Sequence, residues 1–139
     1  MKYTIFCDGG ARGNPGPAAT GYIISNQKGK RISDGGSFLG TATNNVAEYK
    51  AVIEALEKLK DLSGGGNDEV EIYVDSQLVA QQLKGLFKVK NSTIRELVLK
   101  VRQLEPFFLK VNYVNVNRAE NKEADNIVNQ ILDKKIYGT

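Results

Sequence analysis

The 139-residue chain contains no histidine and no tryptophan, one cysteine and three prolines. Without histidine, zinc sites and histidine-based triads lose their usual parts, and Cys7 alone cannot close an internal disulfide. Any catalysis must lean on carboxylates. No run approaches the roughly 18 apolar residues of a membrane span, and Met1-Lys2 leads directly into a strand-like segment rather than a secretory signal. The expectation is a soluble, cytoplasmic chain with no membrane contact. What is present suits a globular protein: 41% hydrophobic and 25% charged residues, read as one domain spanning residues 1–139. A chain of this length buries about two-thirds of its unfolded surface. The net charge of +3 and pI near 8.9 fall just short of the value of about 9 that marks a basic nucleic-acid-binding domain.

Residues 2–8 are rich in β-formers and stop at Gly9-Gly10, which predicts a strand running into a loop that extends to Pro17. A second strand is expected from Ala18 to Ser25 and a third over about Lys30–Leu39, the spacing of an antiparallel meander. The period then changes. Val46, Tyr49, Ile53, Leu56 and Leu59 mark one face of a helix over about 44–61, and Gly64-Gly65-Gly66-Asn67 ends it. Val70–Asp75 reads as a fourth strand and Leu78–Leu83 as the start of a short helix. Ile94, Leu97, Val101 and Leu104 are again helical, closed by Pro106, and Phe107–Val116 reads as a fifth strand. Ala124, Ile127, Val128, Ile131 and Leu132 define the last helix, with Asn121 as its cap. The order β-β-β-α-β-α-α-β-α is that of an α/β fold whose later strands alternate with helices as crossover units do.

Asp8 and Asp75 end the first and fourth strands, where open α/β sheets place ligands. Strand-end aspartates also cap turns. Glu48 lies one turn inside the first long helix and Asp125 in the first turn of the last. Each has a plainer explanation, because Asn45-x-x-Glu48 resembles a capping box and an acid near a helix amino end suits the macrodipole. If the four converge, their repulsion requires bound cations. Hard oxygen ligands without histidine or cysteine favour Mg²⁺ or Mn²⁺. Two such ions about 3.5–4 Å apart are the usual device for in-line displacement at phosphorus, which implies phosphodiester hydrolysis.

The Gly9–Pro17 loop offers backbone able to approach a ligand, with Gly9 and Asn14 as candidate contacts, and lacks both the P-loop and the dinucleotide pattern. Thr43-Asn44-Asn45 and Ser76-Gln77 cluster amides and hydroxyls beside the acids, suited either to an RNA 2′-hydroxyl or to helix capping. Lys84, Lys88, Lys90, Arg95, Lys100 and Arg102 face one acid, Glu96, as a phosphate-contact surface or a solvated helix face. Cys7, Phe107, Phe108 and Tyr113 read as core.

Taken in order, Ile5-Phe6-Cys7-Asp8-Gly9-Gly10-Ala11-Arg12-Gly13-Asn14-Pro15-Gly16-Pro17, Thr43-Asn44-Asn45-Val46-Ala47-Glu48, Val74-Asp75-Ser76-Gln77 and Asn121-Lys122-Glu123-Ala124-Asp125 resemble type 1 ribonuclease H over essentially the whole chain. The resemblance implies a five-stranded mixed sheet, three antiparallel strands followed by two parallel ones, with helices on both faces. It implies endonucleolytic cleavage of the RNA strand of RNA/DNA hybrids, leaving 5′-phosphate and 3′-hydroxyl ends. Two Mg²⁺ ions, replaceable by Mn²⁺, are implied on Asp8, Glu48, Asp75 and Asp125. Asp8 would bridge both ions, Asp125 complete the one that activates water, and Glu48 and Asp75 the one facing the leaving 3′-oxygen. By the same resemblance, Asn14, Asn44, Asn45 and Gln77 would contact the hybrid's minor groove and 2′-hydroxyls, and Thr43 and Asn91 would form a DNA-phosphate pocket. The chain departs from many members in lacking both the basic, tryptophan-containing protrusion and a loop histidine. Hybrid affinity then falls to Lys84, Lys88 and Lys90, and Arg118 stands in the shortened loop Asn117-Arg118-Ala119-Glu120. The alternative is a hybrid- or duplex-RNA-binding module of the same fold without turnover. A monomer is expected.

Overall fold

The computed structural model describes residues 1–64 and 66–138, so Gly65, within the predicted triglycine loop, lies outside the described residues. Strand β1 (Lys2–Ala11) alternates strictly at first, with Tyr3, Ile5 and Cys7 buried on one face. It continues through Gly9-Gly10 instead of ending there, because both glycines pair with β2 (Gly16–Ser25). The loop shortens accordingly to residues 12–15. Strands β1 and β2 are antiparallel with Asp8 opposite Gly21. The expected third strand is two strands, β3 (Arg31–Gly35) and β4 (Phe38–Ala42), both pairing with β2. The break falls at Gly36, where a Cβ would collide with the Thr20 carbonyl oxygen. Ser37 then re-anchors the chain by donating its N–H to Thr20 Oγ1 at 2.9 Å, and Glu54 accepts from both hydroxyls at 2.8 and 2.9 Å.

Helix α1 (Asn44–Ser63) is capped by Thr43, whose Oγ1 accepts from Val46 N at 3.2 Å, and closes on Gly64 with φ 78°. The expected Asn45–Glu48 capping box does not form; the cap sits two residues earlier and leaves the Glu48 side chain free to turn elsewhere. β5 (Glu69–Val74) lies parallel to β1, and β6 (Lys110–Asn115) parallel to β5, giving the order β3-β2-β1-β5-β6 with β4 beside β2. This is the mixed sheet the sequence implied. Between β5 and β6 run α2 (Gln77–Leu83) and α3 (Ser92–Leu104), capped by Ser76 and Asn91. β6 begins three residues later than expected because Glu105–Phe107, with Pro106 inside it, forms a 3-10 turn. Phe107 is therefore not core: it is 44% exposed, with Lys60 Nζ 3.7 Å from its ring centroid, whereas Phe108 and Tyr113 are buried. Arg102 leaves the basic surface, pairing with Glu105 at 2.7 Å and donating to the Leu83 carbonyl at 2.6 Å.

The last helix, α4 (Lys122–Tyr137), lies on the opposite face of the sheet from α1. Two successive glycines show this, since a Cβ on Gly9 points at Ala47 of α1 and one on Gly10 at Val128 of α4. The main core lies on the α1 side, where Ile5, Leu56, Leu59 and Ile72 are fully buried, each worth about 2–3 kcal/mol. A smaller cluster of Ala19, Val128 and Leu132 fixes α4. Among the described residues, no helix is long and apolar enough to cross a membrane.

Candidate active site

Parallel pairing of β1 with β5 sets Phe6 beside Tyr73, and their rings stack at 4.8 Å. Asp8 and Asp75 each stand two residues beyond that pair, so their carboxylates meet at the carboxyl edge of the sheet. Glycine seats the two helices that complete the site. A Cβ on Gly9 would overlap the Ala47 carbonyl and the Glu48 nitrogen, so glycine there lets α1 approach closely enough to bring Glu48 over Asp8. Gly21, opposite Asp8 in the register, does the same for α4: a Cβ would lie 2.6 Å from the Ala124 carbonyl oxygen, next to Asp125.

The result is a compact acid cluster. Ligand oxygens of Asp8, Glu48 and Asp75 all lie within 4.8 Å of one another, and Asp125 lines the same cavity. Asp8 is 6% exposed and Glu48 7%. Burial, then the charge of Asp75, then the neighbouring Asp125 push the Asp8 carboxyl up to about 8. Burial, then Asp8 and Asp75, raise Glu48 well above its ordinary value, partly offset by the nearby Gly9 N–H. Glu48 Oε2 is buried without any hydrogen-bond partner. Without a cation such a cluster holds protons against its own chemistry. A donor set made only of carboxylate oxygens, one of them buried and unsatisfied, fits a hard divalent ion.

These acids line a cavity of about 380 Å³ together with Gly9, Arg12, Asn44, Asn45, Arg118 and Asn129. Arg118 is exposed on a 3-10 turn (Arg118–Asn121) fixed by a reciprocal cap between Asn117 and Glu120. Beside it, a cavity of about 660 Å³ gathers Asn14, Thr43, Asn45 and Asn91. Asn14 Oδ1 accepts from Asn44 N at 3.0 Å, and Asn44 Oδ1 from Ala11 N at 2.9 Å, so both asparagines also brace the loop. Thr43 and Asn91 likewise cap their helices. Gln77, Lys88 and Lys90 are exposed and line neither cavity.

Asn121 departs from expectation. It occupies the cap position of α4 but makes no capping bond. Its Nδ2 instead donates to the Cys7 carbonyl at 2.7 Å and to Asp75 Oδ2 at 3.3 Å, tying β1 and β5 together behind the acids. Only the fold reveals this role, because the residues it joins are 114 and 46 positions away.

A family model described as reverse transcriptase-like matches residues 6–131. The chain is 41% identical over 128 residues to Ribonuclease HI of Halobacterium salinarum, a match covering 92% of this chain. It spans only 63% of that longer relative. Identity to Ribonuclease HI of Helicobacter pylori is 32% over 149 residues, covering 100% of this chain and 99% of the relative. Among solved structures, LC11-RNase H1 in complex with an RNA/DNA hybrid superposes with a TM-score of 0.92 at 38% identity, covering 96% of this chain and 99% of that one. Sequence kinship through nearly the full chain and a shared backbone agree with the acid cluster at the sheet edge, and the chain belongs to the ribonuclease H family.

Proposed function

We propose that this chain is an endoribonuclease that hydrolyses the RNA strand of RNA/DNA hybrids, leaving 5′-phosphate and 3′-hydroxyl ends, as one ribonuclease H domain. The observation that carries the reading is the meeting of Asp8, Glu48 and Asp75 within 4.8 Å, from three separate elements, with Asp125 lining the same cavity. Asp8, Glu48, Asp75 and Asp125 would hold two Mg²⁺ ions, with Mn²⁺ able to substitute. Bound there, the ions supply charge stabilisation at phosphorus and a nucleophile at neutral pH.

The side chains around the acids divide the remaining work. Asn14, Asn44, Asn45 and Gln77 present amides to the minor groove and to 2′-hydroxyls, the groups that distinguish RNA from DNA. Thr43 and Asn91 line the adjoining cavity and would receive a backbone phosphate of the DNA strand. Lys88 and Lys90, exposed beyond it, add charge along the duplex. Arg118 faces the acid cavity with a permanent positive charge; it offsets phosphate charge and moves no proton. Arg118→Ala therefore lowers turnover on the order of tenfold, less than a buried oxyanion donor is worth because the guanidinium is exposed. Undiminished turnover in that variant would remove Arg118 from the account. A monomer acting in the cytoplasm completes the proposal.

The test is a substrate panel of strand-labelled RNA/DNA hybrid, single-stranded RNA, duplex RNA and duplex DNA with Mg²⁺. Cutting confined to the hybrid's RNA strand is expected. Tight hybrid binding without cleavage in Mg²⁺ or Mn²⁺ makes the chain a binding module instead.

A further inference from the structure

Asp125, Asn129 and Asp133 stand at i, i+4 and i+8 on α4 and so follow one face of the helix. It is not the face packed on the sheet, which carries Ala124, Val128 and Leu132. Arg12, from the loop between β1 and β2, reaches over this polar face. Its Nη2 lies 2.7 Å from Asp133 Oδ1 and donates to Asn129 Oδ1 at 3.5 Å, a long bond beside a short, partly exposed ion pair. Asn129 Nδ2 in turn donates to Asp125 Oδ2 at 3.2 Å. Both Arg12 and Asn129 line the acid cavity.

The order of these contacts has chemical content. A carboxamide has an acceptor at one end and donors at the other. Turned over, Asn129 would set its oxygen against the Asp125 carboxylate and its NH₂ against a guanidinium that can only donate. Arg12 therefore selects the orientation in which Asn129 donates to Asp125, and Asp133 keeps Arg12 in place. Asp8 and Glu48 are held by burial, whereas Asp75 and Asp125 are half-buried, and Asn129 supports Asp125 as Asn121 supports Asp75. The loop that supplies Arg12 is itself held, by Arg12 N on the Pro17 carbonyl at 2.8 Å and by the Asn14–Asn44 bond to the start of α1. One short loop thus braces the start of α1 and the middle of α4, the two helices that carry site acids.

We propose that Arg12 is a positioning residue, acting through Asn129 to hold Asp125 in the pose from which it serves the acid cluster. The inference rests on the ribonuclease reading for its turnover readout, while its metal-binding readout stands apart from that reading. Calorimetric titration of Mn²⁺ into the substrate-free protein compares wild type, Arg12→Ala, Asn129→Leu and the double variant. Each single change weakens metal affinity about tenfold, the lower range for loss of a partner behind a metal ligand. The double variant is no weaker than either single one within about twofold, because both remove the same support. In hybrid cleavage at saturating metal, KM for the hybrid stays within about twofold of wild type.

Unchanged metal affinity in both single variants overturns the proposal, as does a fully additive double variant. A raised KM with a shallower salt dependence in Arg12→Ala alone also overturns it and makes Arg12 a phosphate contact. Wild-type protein that binds Mn²⁺ yet leaves the hybrid intact defeats the ribonuclease reading, and the calorimetry still decides the role of Arg12.

Discussion

Asp8→Asn abolishes cleavage, by about a thousandfold or more, and at the same time stabilises the metal-free protein. Both effects follow from one carboxyl. In the folded chain without metal, burial and the neighbouring Asp75 and Asp125 raise Asp8 from an ordinary 3.8 to about 8. Between those values the folded state binds more protons than the unfolded one, so stability falls as pH rises. The Asp8 contribution is fully present below pH 3.8 and is lost as pH rises through about 8. An asparagine keeps a hydrogen-bond donor toward the neighbouring acids and has no charge to be forced out of water. At pH 8 in EDTA the variant is more stable by an amount on the order of 1–3 kcal/mol, with coupling among the acids absorbing the rest of the shift. Thermal unfolding in EDTA from pH 4 to 9 checks this. The wild-type midpoint declines with pH, and the variant's declines less. Adding Mg²⁺ at pH 8 raises the wild-type midpoint by mass action and the variant's far less. A wild-type midpoint that climbs from pH 4 to 8 in EDTA contradicts the electrostatic account of the site.

Gly9→Ala destabilises the protein by about 3 kcal/mol, the upper end of overpacking, and lowers the melting temperature by about 10 °C. The added methyl meets backbone, the Ala47 carbonyl and the Glu48 nitrogen, neither of which can rotate away. α1 must lift from β1, and Glu48 lifts with it. Activity of the folded fraction falls as well, which separates this lesion from a simple loss of stability. Gly10→Ala is the built-in control. Its methyl would stand 3.7 Å from Val128 Cγ1 in ordinary contact, so stability changes by less than about 1 kcal/mol. Melting curves and specific activity of the two variants, measured side by side, decide whether Gly9 is a helix seat; equal effects would refute it.

The comparison of Gly9 and Gly10 also shows what a sequence reveals and what it hides. Both glycines read as loop residues that admit a ligand, and both lie in a strand, one of them holding a helix against the sheet. Periodicity located α1 and α4, because their buried faces recur every three to four residues. Asp8 lies three residues short of the end of β1, which runs on to Ala11, while the strand-end position of Asp75 was equally legible. Their adjacency was not, because pairing of β1 with β5 joins segments about 67 positions apart through contacts that no local pattern encodes. The division of the third strand at Gly36 escaped for a similar reason, since the deciding neighbour is the Thr20 carbonyl on another strand. Capping chemistry misled at two points. Asn45 and Asn121 are good cap residues by type, but Thr43 stands closer to the true start of α1, and the Asn121 amide is drawn to the Cys7 carbonyl and Asp75. The i, i+4, i+8 row of Asp125, Asn129 and Asp133 was visible as spacing, yet its meaning depends on Arg12 arriving from the far end of the chain.

The central claim is that four converging carboxylates cut RNA with bound divalent ions, and the chemistry of the new ends tests it most directly. Labelled RNA annealed to DNA is incubated with wild type and with Asp8→Asn, in Mg²⁺ and in EDTA, and the product termini are mapped. The account predicts 5′-phosphate and 3′-hydroxyl ends, from wild type with Mg²⁺ only. Cleavage that survives EDTA or the loss of Asp8, or products ending in 2′,3′-cyclic phosphate, would contradict it.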